Sequence, residues 1–251
     1  KPILVATPGT LAALTDPAVI ADVAIVDACA HIPSIELLSI LGRVRQVVVI
    51  AHCATVTSES VKQLIDLLPH VEVESAPTRR DPRLAAFLES EGYGSVRYDV
   101  ATEPASGKVR FHSVEDANGV PVMLSGLVES SQQEIDKVVH LITQRASSFT
   151  VVPSSYVLTV VTLTDVFRTR LGAELKSLAS KNKPMGRFLR HVRLVPLRDV
   201  AGCQATDVIL SLCYAKTVHG RLLQQFGVVE HEGGRGMLLD ALALADRNLD
   251  I

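Results

Sequence analysis

Short runs of aliphatic and β-branched residues alternate along this chain with longer stretches whose apolar positions recur every three or four residues. The runs are Ile3–Ala6, Val23–Val26, Gln46–Ile50, Val157–Thr162 and Val208–Leu212. Each is apolar on both faces, which predicts strands of a parallel sheet covered by helices. The stretches between them read as amphipathic helices: Ile35–Gly42, Ser58–Leu68, Asp81–Ser90, Gln132–Arg145, Asp165–Ser180 and His219–Phe226. Ser58 is the expected N-cap of the second, and Ser131 with Glu134 fits a capping box. Strands alternating with helices predict a doubly wound α/β fold. Tyr93–Gly126 departs from the pattern, with Gly, Pro and Asn punctuation and alternating pieces such as Lys108–Val114. It reads as irregular strands or a loop-rich insertion. Ala76-Pro77, within Val73–Thr78, marks a boundary between two units.

Composition supports a packed chain rather than a disordered one, with 251 residues, 47% of them hydrophobic and 21% charged. The formal net charge is −2, so any nucleic-acid site must be a local basic patch. Cys29, Cys53, Cys203 and Cys213 form no CxxC pair, which argues against zinc and for reduced, buried thiols. No stretch approaches the ~18 apolar residues of a membrane span and no signal peptide is visible, so the expectation is a cytoplasmic protein without a membrane partner. The first residue is Lys and the next few read as a strand, so the chain is taken as a piece whose upstream part is missing.

Four segments carry candidate chemistry. Thr7-Pro8-Gly9 follows an expected strand and opens a helix, where backbone amides can hold a phosphate; an ordinary strand-to-helix turn is the competing account. Asp27 ends the run Val23–Val26, and a carboxylate there is costly to bury without a job, such as holding Mg²⁺, or a partner, such as a helix N-terminus. His52-Cys53 follows Gln46–Ile50, but neighbouring strand residues point to opposite faces, so a structural role is favoured over a nucleophile. Two basic runs, Arg79, Arg80 and Arg83, then Lys181, Lys183, Arg187, Arg190 and Arg193 with His191, are candidates for phosphate contact. Phe188 alone is a thin platform for stacking bases. No GxxxxGK[ST] occurs anywhere, so nothing here cradles a triphosphate in the usual way.

Taken in order, these pieces resemble superfamily 1 DNA/RNA helicases of actinobacterial type. Ala6-Thr7-Pro8-Gly9 is similar to their Thr-Pro-Gly element, and Ile25-Val26-Asp27-Ala28 to their strand ending in Asp-Glu-Ala. Val47–His52 stands where their third motif does. Arg79–Leu84 resembles the Arg-rich start of their second motor domain, and Glu134-Ile135 with Val138-Val139 a recurrent helix there. Asp207–Arg247, with Thr217–Leu223 and Phe226-Gly227, is the most similar stretch. The resemblance implies a P-loop NTPase (RecA-like) fold in a tandem helicase-core arrangement. Residues 1–75 would close the first RecA-like domain, and 76–251 would form the second, with the insertion at about 93–126.

The departures run in one direction. Ala28 stands for the Glu after the metal Asp, and Ala51-His52 for Gly-Asp. Ala201-Gly202-Cys203-Gln204 replaces Gln-Gly-x-Glu, and Ala243-Leu244-Ala245-Asp246 replaces Thr-Arg-Ala-Arg. Leu244 therefore occupies the place of the arginine that reaches the γ-phosphate, a loss worth on the order of 10³–10⁵ in rate. The resemblance implies vestigial nucleotide or metal contacts at Asp27, Gly202 and Gln204, with Asp27 the one residue that could hold Mg²⁺. It implies nucleic-acid contacts at Thr7, Arg79, Arg80, Arg83, Lys181, Lys183, Arg187 and Arg190. No catalytic residue is assigned, and Mg-ATP enters only if upstream sequence completes the site. The leading expectation is a non-hydrolysing helicase-like module acting in nucleic-acid binding or assembly, with single-stranded DNA or RNA or another protein as partner. Two readings stay open beside it: a piece of a working ATP-dependent DNA helicase, and a protein-interaction scaffold with no nucleic-acid role.

Overall fold

The computed structural model describes residues 3–16, 18, 20–27, 29, 32–51, 59–71, 73, 79–93, 107–114, 131–217, 219–221, 227–231 and 233–251. Two parallel sheets organise them. In the first, β1 (Ala21–Val26) pairs with β2 (Val44–Val49) in the register Val23↔Gln46, Ile25↔Val48. Helix α1 (Pro8–Leu14) precedes them, α2 (Ser34–Leu41) joins them and α3 (Glu59–Leu67) follows. Leu37, Ile40 and Val61 pack from these helices onto Val26, Val47 and Val49.

The second sheet has the order β3-β7-β6-β4-β5 and is parallel throughout. Its strands are β3 (Val109–Arg110), β4 (Leu158–Thr162), β5 (Val192–Pro196), β6 (Ala205–Ser211) and β7 (Ala245–Asp250). One face carries α5 (Gln132–Ser147), α6 (Asp165–Lys181) and α7 (Lys183–Phe188), which bury Ile142, Phe167, Leu171 and Phe188 against Leu158, Val160 and Ile209. The other carries α4 (Pro82–Ser90) and α8 (Gly234–Ala243), where Leu88 and Leu239 meet Val161, Val208 and Leu210. This is a helix–sheet–helix sandwich, and it explains why the centres of β4 and β6, Val160-Val161 and Val208–Leu210, are aliphatic at consecutive positions.

A buried charge network fastens the sandwich. Arg145, in the last turn of α5, reaches Asp250 at 2.8 Å and Asp207 at 3.4 Å. Tyr156 donates its hydroxyl to Asp207 at 2.9 Å, and the Asn248 amide donates at 2.7 Å. His112 and Arg110, beside β3, meet Asp250 at 2.9 and 3.5 Å. Burial, and the Asp207 carboxylate after it, raise the Tyr156 phenol well above its ordinary range. Gly107, just before β3, packs so tightly that an added Cβ would overlap the Arg247 carbonyl.

Several expectations need correction. Ile3–Ala6 forms no strand: it makes no ladder and lies exposed, because no neighbouring strand is placed to pair with it. Among the described residues the strands of the first sheet are covered on one face only; Val23, Ile25 and Val48 share the other. His219–Arg221 make a turn closed by Gly220 N–H to Thr217 O at 2.8 Å, not the start of a helix. The Ser131–Glu134 capping box is half formed. Ser131 accepts from the Glu134 amide at 3.2 Å, while the Glu134 side chain turns away to β6. Strand β3 falls within the alternating piece Lys108–Val114, while β5 and β7 were not anticipated: β5 is five residues long and interrupted by Arg193, and β7 carries four polar residues, Asp246, Arg247, Asn248 and Asp250. Ser58, most of Val73–Thr78, most of Tyr93–Gly126 and Leu222–Phe226 lie outside the described residues.

Candidate functional site

The amino ends of β4, β6 and β7 open onto a cleft of about 640 Å³. Its walls include Arg80, Tyr93, Gly202, Gln204, Asp240 and Leu244. The loop Val200–Gln204 enters β6 through a tight turn. Gly202 has φ +75°, a conformation that an L side chain adopts only under strain, and the Cys203 amide closes the turn on Val200 O at 3.0 Å. On the opposite wall, α8 ends at Leu244 and the chain turns directly into β7.

Arg80 sits in the floor. Its Nε donates to Ala245 O at 3.1 Å and its terminal nitrogen to Ala243 O. The guanidinium thus satisfies carbonyls at the C-terminal end of α8, where a cation also complements the helix dipole. Burial pulls its pKa down, against the charge of Asp246 nearby. Tyr93 donates to Asp240 at 2.6 Å, tying the segment after α4 to α8, and burial raises its phenol far above the usual range.

Asp27 completes the arrangement from the first sheet. It lies just past β1 and is exposed rather than buried, contrary to expectation. A Cβ placed on Gly202 would lie 3.6 Å from Asp27 Oδ2. Positions separated by about 175 residues in sequence are therefore neighbours, and Gly202, Gln204 and Leu244 share one cleft.

The other expected residues are elsewhere. Thr7 is the N-cap of α1 and accepts from Thr10 N at 3.3 Å. Arg79 is exposed and its amide approaches Asp246 at 3.5 Å. Arg83 is exposed beside Asp81, the N-cap of α4, at 3.6 Å. Lys181 ends α6, Lys183 and Arg187 lie on α7, and Arg190 follows in a 3-10 turn, all exposed. Ala28, His31, His52 and Cys53 lie outside the described residues. Among the described residues, no three His, Cys, Asp or Glu side chains converge as metal ligands, and no helix is long and apolar enough to cross a membrane.

Sequence reading missed Tyr93, Asp240 and Asp246 as cleft residues. It also missed a second polar group at the carboxyl ends of β4 and β6. There Glu134 accepts from Ser211 Oγ at 2.6 Å and Cys213 N at 2.8 Å. Cys213 holds φ +55°, and Glu134 Oε2 and Thr162 Oγ1 are buried without hydrogen-bond partners. Burial raises the Glu134 carboxyl and pushes the Cys213 thiol up to about 11. A polar residue ending an otherwise apolar run, Ser211 after Val208–Leu210, was the available signal.

No protein-family model matches this chain, and no curated protein sequence matches it.

Proposed function

We propose that this chain is a helicase-like module that does not hydrolyse nucleotide and acts by binding. The reading divides it at about residue 75 into two RecA-like units in tandem. The observation that carries it is the meeting of Gly202, Gln204 and Leu244 in one cleft, with Asp27 against Gly202. These are the positions that the helicase resemblance assigns to nucleotide contact.

The side chains there do not fit Mg-ATP. Leu244 brings no charge to a γ-phosphate, and Arg80 spends two donors on carbonyls. Asp240 and Asp246 line the same walls and would repel a polyphosphate. Phosphoryl transfer depends almost wholly on positioned cations, so a cleft with this lining lacks its chief catalytic means.

ATP hydrolysis measured with and without single-stranded DNA tests the reading. Turnover at the background rate in both is expected. Stimulated hydrolysis abolished by Asp27→Asn would overturn it, and would favour the second reading, a working motor completed by further sequence. The bare apolar face of Val23, Ile25 and Val48, which a larger sheet domain would cover, is what favours that alternative.

A further inference from the structure

We propose that α7 and the edge strand β5 form a track for the phosphate backbone of a nucleic-acid duplex, apart from the cleft. The starting point is a charge asymmetry. From Leu175 to Arg198 the chain carries seven lysines and arginines and no aspartate or glutamate, although its net charge is −2. Among the described residues only Arg198, at the end of this stretch, has an ion-pair partner, Asp165 at 2.8 Å. Lys181, Lys183, Arg187, Arg190 and Arg193 are all exposed, and among the described residues none is in an ion pair.

Helix geometry arranges three of them. Lys183 and Arg187 lie one turn apart on α7, and Arg190 follows in the 3-10 turn that extends it, so the i, i+4, i+7 spacing keeps the three on nearly one side. The intervening Met185 and Phe188 are buried against α6 and β4, so the stripe faces away from the core. Arg193 continues the basic run on β5, an outer strand of its sheet. Charge on an outer strand also discourages sheet-to-sheet association. That accounts for Arg193, but not for three cations aligned along α7 and the turn that follows it.

A duplex fits this surface better than a single strand. Proteins that hold single strands combine cations with exposed aromatic rings on which bases stack. Phe188 is the one Phe, Tyr or Trp of the stretch and it is buried, so recognition here is by charge alone. A duplex offers the denser charge, one phosphate per ~1.7 Å of axis, and the stripe spans about 10 Å. About four phosphates would be neutralised. The inference extends the binding half of the proposed function but uses none of the cleft residues.

The test is fluorescence anisotropy of the full chain with a mixed-sequence duplex of about two helical turns, titrated from about 50 to about 200 mM salt. Binding is expected to weaken about 10²-fold across that range, a log–log slope near −3.6. The triple variant Lys183→Ala/Arg187→Ala/Arg190→Ala should reduce the slope to about −1, weaken binding equally for every sequence and leave the circular dichroism spectrum unchanged. Arg79→Ala/Arg83→Ala should leave the slope in place. The proposal is overturned if the duplex does not bind at low salt, or if the Arg79/Arg83 pair and not the α7 triple moves the slope. It is equally overturned if vesicles of equimolar phosphatidylcholine and phosphatidylserine bind through the triple while the duplex does not. ATP hydrolysis is read separately, so failure here leaves the reading of the cleft standing.

Discussion

The two sheets are built from runs that look alike in sequence and are used differently. Val23–Val26 and Val157–Thr162 are both short, aliphatic and β-branched. In β4 every residue is buried, between α5–α7 on one face and α4–α8 on the other. In β1 only Val26 is buried, and Ile25 is 70% exposed. The difference lies in what surrounds each strand. A parallel strand is stabilised by two neighbours and two helical layers, and β1 has one of each among the described residues. Aliphatic character prepares a strand for burial without supplying the cover.

The sharpest way to break the comparison is through the charge network that only the larger sheet possesses. Arg145→Ala leaves Asp207 and Asp250 buried without their main counter-charge, and should cost about 3–5 kcal/mol in urea unfolding. A loss below about 1 kcal/mol would mean that the network is held without Arg145, by Tyr156, Asn248, His112 and Arg110. A matched pair of truncations comes next. Ile142→Ala, in the core of the larger unit, should cost about 2–5 kcal/mol. Ile25→Ala, on the bare face, should fall within about 0.5 kcal/mol. Equal costs would show that the face of β1 is covered in solution.

The smallest effect concerns Glu134. Burial raises its carboxyl pKa in the folded chain, so its contribution to stability is complete below the ordinary carboxylate range and falls as pH rises through the raised value. Glu134→Gln keeps an oxygen acceptor for Ser211 and Cys213 and removes the ionisation. It should change stability by no more than about 1 kcal/mol at pH ~4 and gain on the native chain at pH ~8. Thermal unfolding followed by circular dichroism at both values checks this. A pH dependence identical in the two proteins would place the titrating group elsewhere.

Much of the larger unit was legible from pattern. Helices α4, α5 and α6 begin where Asp81, Ser131 and Thr164 cap them, the Ser131 cap as expected, and β4 and β6 stand where the aliphatic runs are. Local rules suffice there because a capping side chain and a repeating apolar stripe act within a few residues. Strand β7 was not legible. Asp246, Arg247, Asn248 and Asp250 make it read as polar, and it becomes a strand because Asp207 and Arg145 receive two of those side chains. The cleft was half legible. Gly202, Gln204 and Leu244 could be named from motif order, whereas Tyr93 and Asp240 reach it through the packing of α4 against α8, and Asp246 through the start of β7.

By itself, then, the sequence determined the alternation of strand and helix and the acid-free basic stretch of α7 and β5. Each of these is a property of residues close together in the chain. Tertiary structure alone decided that Asp27 meets Gly202, that Arg80 is consumed by carbonyls while Lys183, Arg187 and Arg190 stay exposed, and that one sheet is covered on both faces and the other on one. Those outcomes depend on which distant segments come within a few ångströms, where burial and Coulomb energies are set, and spacing along the chain does not encode that distance.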